Sequence, residues 1–420
     1  MKMMKDGEFF PITTAPACQL KWTWSTIRLY EGSTSSCHRV EKEFITSENF
    51  DTFHNTPLKL KDRASMLEGK WPGRGCEHCK HIEDAGGTSD RMHHLTIPNL
   101  SPKELETDVT AIEVTPRIVE VYFDNVCNLS CLYCWDGFSS KIRSENQRHG
   151  RFEQDGVVID NRAKLVDDLP KLTAKFWDYM ERNRHGIKRF HFLGGEPFYQ
   201  TQFDYALDWF QKYPCSNLEF NIVSNLNINH EKFKNYIARL KQLVEKQCLG
   251  RFDLTCSIDC LGAEQEYVRF GADLDLIKTN FEHVVAEDWI YLNFNQTLCG
   301  LTMKTSADLI DYVNTLRTNR QINHYFSTTV MTYEFLHPRI FGKGFFDADF
   351  EQILENMPSN TQQEQAAKDY MLGIQKEINT HELNRAEIKK LGVYLTELDR
   401  RRSTNWQSTF PWLTNLLETV

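Results

Sequence analysis

An α/β fold built on a parallel, incomplete barrel of six strands is predicted for this chain of 420 residues. Three observations lead there. Six short segments between residues 117 and 330 carry the apolar/polar alternation of half-buried strands, amphipathic helical stretches separate them, and turns rich in glycine or polar residues follow their carboxyl ends. Strands that alternate with helices build parallel sheets, and such sheets bind ligands beyond their carboxyl ends.

The first strand, Arg117–Phe123, runs into a loop holding Cys127, Cys131 and Cys134 at a Cys-x3-Cys-x2-Cys spacing. Three thiolates suit a cubane of four irons and leave one iron open. Clusters that only transfer electrons usually take four cysteines, so a local set of three points to a coordination position kept for a small molecule. Cys-x2-Cys is also a zinc spacing, and a zinc knuckle stays open as an alternative. The second strand, Ile187–Leu193, ends in Gly194-Gly195-Glu196-Pro197. Glycines there permit close approach of a ligand to the backbone, and the carboxylate can accept hydrogen bonds from an ammonium group. Leu218–Val223 ends at Ser224-Asn225-Leu226-Asn227, and Phe252–Asp259 ends in polar residues. Trp289–Thr297 and His324–Val330 complete the six, with a helix at Ser306–Val313 that its first serine can cap.

With these motifs in order, the chain resembles the radical S-adenosylmethionine (radical SAM) enzymes, whose cysteine triad carries an aromatic residue before the third cysteine, here Tyr133. The resemblance implies a TIM-like partial (β/α)6 barrel and a 4Fe-4S cluster on Cys127, Cys131 and Cys134. Its open iron would chelate the amino and carboxylate groups of S-adenosyl-L-methionine, and an electron would release a 5'-deoxyadenosyl radical that takes hydrogen from a substrate. By position, Tyr133 would lie near the adenine, and Gly194, Gly195, Glu196 and Pro197 would hold the methionyl amine. Ser224 and Asn225 occupy the family's polar turn, although Leu226 stands where a glycine is usual. Ser257 and Asp259 would contact the ribose, Arg269 the methionyl carboxylate, and Asn295, beside Gln296, the nucleoside or substrate. Catalytic residues beyond the cluster are not implied.

A second cysteine group precedes the barrel: Cys18, Cys37 after Gly32, and Cys76 and Cys79. A hairpin through Trp24–Tyr30 and the segment after Glu31-Gly32 would bring Cys18 and Cys37 together. The pattern resembles the auxiliary-cluster modules called SPASM and twitch, and twitch is closer because the further cysteines of a full SPASM set are missing. It implies a second 4Fe-4S cluster with no open iron, serving electron transfer or tuning of potential. A structural zinc site is the alternative, with His38, His78 and His81 nearby as substitutes.

Composition sets bounds. The 58 acidic and 49 basic residues give a net charge of −9, which lacks the basic footprint of a nucleic-acid binder. No apolar run is long enough to span a bilayer, and Met1–Glu8 has no signal-peptide core, so a cytoplasmic location is expected. Of the 12 cysteines, Cys215, Cys248, Cys256, Cys260 and Cys299 remain outside both groups. They are expected to be buried and inert, with Cys260 and Cys299 near strand ends where a thiol could meet substrate.

The expected organisation is an auxiliary-cluster module at 1–97, a linker at 98–115 announced by Thr96–Pro102, a core barrel at 116–335 and a helical extension at 336–420 that could cover the barrel's open side. The expected function is hydrogen abstraction from a peptide or protein, with an external electron donor such as flavodoxin or ferredoxin. A radical dehydrogenase of a sugar or other small metabolite is the first alternative. A non-catalytic zinc or electron-transfer metalloprotein is the second.

Overall fold

A computed structural model describes residues 14–84, 89–93, 107–160, 164–317, 320–328 and 333–418. The expected linker signal at Thr96–Pro102 lies outside the described residues. The strands in chain order are β1 (Trp24–Arg28), β2 (Ser33–Ser35), β3 (Glu43–Phe44), β4 (Ile118–Tyr122), β5 (Ser130–Cys131), β6 (Phe152–Gln154), β7 (Val157–Ile159), β8 (Arg189–Leu193), β9 (Cys215–Ser224), β10 (Leu249–Ser257), β11 (Arg269–Phe270), β12 (Tyr291–Leu298) and β13 (Asn323–Thr328). A nine-stranded sheet has the order β13-β12-β10-β9-β8-β4-β1-β2-β3. The six expected strands are thus neighbours in sequence order, and every pairing among them is parallel. The chain is a mixed α/β protein with a parallel sheet.

Alternation decides which face is covered. Phe190, Phe192, Phe220, Ile222, Phe252, Leu254, Leu292 and Phe294 are all nearly inaccessible and form one core with Phe176, Phe203, Phe233, Ile237, Phe281 and Leu309 of the crossover helices. Each fully buried phenylalanine contributes on the order of 2 kcal/mol relative to exposure. The residues between them face the other way. Thr26, Glu120, His191, Asn221 and Asp253 are direct partners across five adjacent strands, which makes that face polar.

The sheet does not stop where the barrel segment was expected to begin. β1 pairs in parallel with β4 along its whole length, from Trp24↔Ile118 to Arg28↔Tyr122, and β2 and β3 continue antiparallel. The expected hairpin is present. Gly32 turns it at φ +61°, where a Cβ would come within 3.0 Å of the Ile45 carbonyl oxygen. The cysteine-bearing segment is therefore built onto the edge of the same sheet. The physical reason lies in burial: every residue of β1 is buried, more than a two-stranded hairpin achieves alone.

Two smaller differences follow local hydrogen bonding. The helix Ser306–Leu316 is preceded by Thr305, and the Ser306 hydroxyl donates back to the Thr302 carbonyl oxygen (2.8 Å) instead of capping. The carboxyl-terminal helices Asp347–Asn356, Arg385–Arg402 and Pro411–Glu418 share a second core with Leu132, Tyr267, Val268 and Leu298, so the tail packs against the cysteine loop itself. Cys256, Cys260 and Cys299 are completely buried. Among the described residues, no helix is long and apolar enough to cross a membrane.

Candidate functional site

The loop leaving the carboxyl end of β4 carries Cys127, Cys131 and Cys134. Its short strand β5 pairs antiparallel with β11, Cys131 opposite Arg269 and Ser130 opposite Phe270. Ser140 fixes the start of the loop, its hydroxyl oxygen accepting from the Cys127 backbone N–H (3.1 Å). Burial, and after it the neighbouring Cys131, pushes the Cys127 thiol up to about 12. Burial also raises Cys134, with Cys131 and Cys127 as the next causes. The three sulfurs thus share one electrostatic neighbourhood that resists thiolate charge unless a cation compensates it. Among the described residues no three His, Cys, Asp or Glu side chains converge on a single-ion site. The donor set is all sulfur and fits an iron–sulfur cluster, in which each cysteine holds its own iron.

Gly194 and Gly195 lie against the cysteine loop. Both have positive φ, +96° and +42°, and a Cβ on either would meet the cysteine loop: Asp124 O at 2.4 Å and Val126 O at 2.0 Å. The Glu196 N–H then donates to Val126 O (2.8 Å). The close approach these glycines allow is that of the loop, so the turn is the buttress on which the three cysteines rest. Pro197, buried, opens the following 3-10 turn.

Glu196 is 1% exposed and accepts from the Ser224 hydroxyl (2.8 Å) and the Asn225 backbone N–H (2.8 Å). The expected turn residues of β8 and β9 are thereby brought together. The Asn225 amide also donates to the Asn128 side-chain oxygen (3.0 Å), and the Asn128 amide donates to Asn227 O (2.7 Å), which ties both turns to the cysteine loop. Leu226, in the place of the usual glycine, is buried at φ +57°.

Burial raises the Glu196 carboxyl from 4.5 to about 7 against those hydrogen bonds. The folded state therefore holds a proton that the unfolded chain has released, so between about pH 4.5 and 7 stability falls as pH rises. Glu196→Gln is expected to remove that slope, which amounts to roughly 3 kcal/mol over the window. Urea denaturation of both proteins across this range checks it, and parallel pH profiles would contradict the assignment.

Asp259, at the end of β10, is fully buried and anchors the other side of the site. It accepts from Arg269 Nε and Nη2 (both 2.8 Å), from the Tyr133 hydroxyl and from the Thr297 N–H (2.8 Å). The Gln296 amide donates to its backbone oxygen (2.6 Å). Arg269 and Asp259, expected to address different parts of a ligand, are paired with each other here, and the Arg269 guanidinium lies 5.6 Å over the Tyr133 ring. Ser257 and Asn295 are direct partners on β10 and β12, one strand end away.

The second cysteine group also comes together. Cys18, Cys37, Cys76 and Cys79 line one cavity of about 170 Å³ with Lys21, Met66, Trp71 and His38, and its lining does not include His78 or His81. Cys76 and Cys79 sit three apart on the helix Cys76–Asp84 and so share a face. Burial pushes Cys18 up to about 12 and Cys76 up to about 11. Burial alone would lower the Lys21 ammonium, but Cys76 and Asp62 hold it above its ordinary value. Cys18 precedes β1 while Cys127 follows β4, its parallel partner, so the two sulfur groups lie toward opposite ends of the strands. Five residues of strand alone span about 13 Å.

Sequence reasoning missed residues that reach the site from far along the chain. The Tyr394 hydroxyl donates to Leu132 O (2.6 Å), and Arg402 packs beside the cysteine loop over Phe270, its guanidinium 5.0 Å from the ring centroid. Both lie on the stretch Tyr394–Arg402, which resembles the carboxyl-terminal ends of some twitch-bearing enzymes; its basic end Arg400–Arg402 reads as a solvated helix end, but the Arg401 and Arg402 side chains are buried.

No family model matches the chain, and no curated protein matches it. Among solved structures it is similar to Streptococcus suis SuiB bound to S-adenosylmethionine, with 13% identity and a TM-score of 0.35 over 79% of this chain and 65% of that one. It is also similar to SuiB bound to its precursor peptide SuiA, with 12% identity and a TM-score of 0.34 over 84% of this chain and 69% of that one. The chain thus spans slightly less than two thirds of the length of the first of these structures.

Proposed function

We propose that this protein is a radical SAM enzyme that removes hydrogen from a peptide or protein. The observation that carries the reading is the mutual packing of the motifs: the glycine turn supports the cysteine loop, and Glu196, Ser224 and Asn225 meet beside it at the carboxyl ends of adjacent parallel strands. Cys127, Cys131 and Cys134 would hold the 4Fe-4S cluster. When bound, cluster and S-adenosylmethionine supply a 5'-deoxyadenosyl radical. Glu196, ionised, accepts hydrogen bonds from the ligand's ammonium, and a bound ammonium in turn lowers the carboxyl's pKa. Asp259 orients Tyr133 and Arg269 beside the third cysteine, while Ser257 and Asn295 present polar groups at the neighbouring strand ends.

Cys18, Cys37, Cys76 and Cys79 would hold a second cluster. A cavity of about 170 Å³ is several times the roughly 30 Å³ that one water occupies, which favours a multinuclear group over a single zinc ion enclosed by its ligands. Its place toward the amino ends of the strands suits electron transfer to or from the core, with flavodoxin or ferredoxin as the external donor.

Anaerobic reconstitution with iron and sulfide, followed by reduction with S-adenosylmethionine present, tests the reading. The expected product is 5'-deoxyadenosine. Bound zinc with no cleavage would instead favour a non-catalytic metalloprotein.

A further inference from the structure

We propose that Arg402, on the last turn of the helix Arg385–Arg402, sets the reduction potential of the cluster proposed at Cys127, Cys131 and Cys134. This rests on the radical SAM reading. Arg402 is held rigidly: its Nε and Nη2 donate to the two Glu145 carboxylate oxygens at 2.9 and 3.2 Å, and its guanidinium covers the Phe270 ring. Phe270 belongs to β11, the strand paired with Ser130 and Cys131. The Arg402 side chain is only 4% exposed, yet among the described residues its Nη1 has no hydrogen-bond partner.

Arg402 also belongs to the wall of a cavity of about 610 Å³, together with Cys131, Cys134, Trp135, Tyr333 and Tyr394. A buried guanidinium nitrogen left without a partner is costly, so its presence beside two sulfur ligands needs a reason. Arg269 is matched by a completely buried Asp259, whereas the partner of Arg402, Glu145, is 12% exposed, and Asp136 and Asp160 lie on the same cavity wall.

Cluster potentials follow net charge and hydrogen bonding around the sulfurs. Uptake of one electron from the external donor adds one negative charge to the cluster, and a cation beside Cys131 stabilises that reduced form. Arg402 is a positioning and tuning residue, since it acts through the ligand loop.

The test is an anaerobic redox titration of the reconstituted full-length protein, followed by electron paramagnetic resonance, with iron and sulfide content measured alongside. Arg402→Met is expected to shift the one-electron equilibrium at least tenfold toward the oxidised cluster, about 59 mV. Arg402→Lys should recover most of that shift. Glu145→Gln, which leaves the guanidinium uncompensated, should move the potential the opposite way. A purely structural role would not produce opposite signs from the two partners of one ion pair. If Arg402→Met does not take up iron, Arg402→Lys and Glu145→Gln decide, and an unmoved or downward potential in Glu145→Gln overturns the inference. A wild-type protein that forms no cubane sinks the functional reading, and this inference with it. A cubane whose potential ignores all three substitutions sinks this inference alone.

Discussion

Cys127→Ala should reduce 5'-deoxyadenosine formation by the reconstituted protein to background. The proposed cubane would lose a third of its protein ligands with that change, and a position for S-adenosylmethionine on its open iron would depend on the other three corners being fixed. The substitution itself is mild. It removes one sulfur from a loop fixed by Ser140 and by the glycine turn, and the lost burial is worth about 1 kcal/mol. An unchanged thermal transition together with lost iron and lost product would place the effect in the ligand set. Full product formation by this variant would remove Cys127 from the site. Cys76→Ala should give the contrasting case, with cleavage of the cofactor retained and substrate turnover lost, because the second cysteine group lies toward the other end of the strands.

Asp259→Asn is the largest expected loss of stability, about 3 to 5 kcal/mol. Asp259 is wholly buried and takes four hydrogen bonds, from Arg269 twice, Tyr133 and Thr297. An amide in its place cannot balance the Arg269 charge, and its NH2 group would face one of these donors. The damage then comes from an orphaned guanidinium. Asp259→Asn combined with Arg269→Met should therefore be less destabilised than Asp259→Asn alone, with a coupling of roughly 1 to 3 kcal/mol by double-mutant cycle. Guanidinium chloride melts of the four proteins measure it. Simple additivity would mean that Asp259 acts through its neutral donors only.

The parts of this site that could be read from sequence are those written in contiguous residues. The cysteine triad, the glycine-glutamate-proline turn and the polar ends of β9 and β10 are each local, because a strand end and the turn after it are adjacent in the chain. Their roles were less legible. Gly194 and Gly195 suggested room for a ligand, but the close neighbour is the carbonyl oxygens of Asp124 and Val126. Arg269 and Asp259 suggested two separate ligand contacts, but they form a bidentate pair. Each of these contacts is with a partner more than fifty residues away or on another element, which residue type alone cannot name.

The order of six strands, the crossover helices between them and the two groups of cysteines were determined by the sequence alone, since periodicity, turn chemistry and cysteine spacing act over a few residues. Only the tertiary structure decided that β1 adds to the edge beside β4 and that Tyr394 and Arg402 return to the cysteine loop. Those outcomes depend on which exposed edge or apolar face buries most when the elements meet, and that competition has no signature in any single stretch of chain.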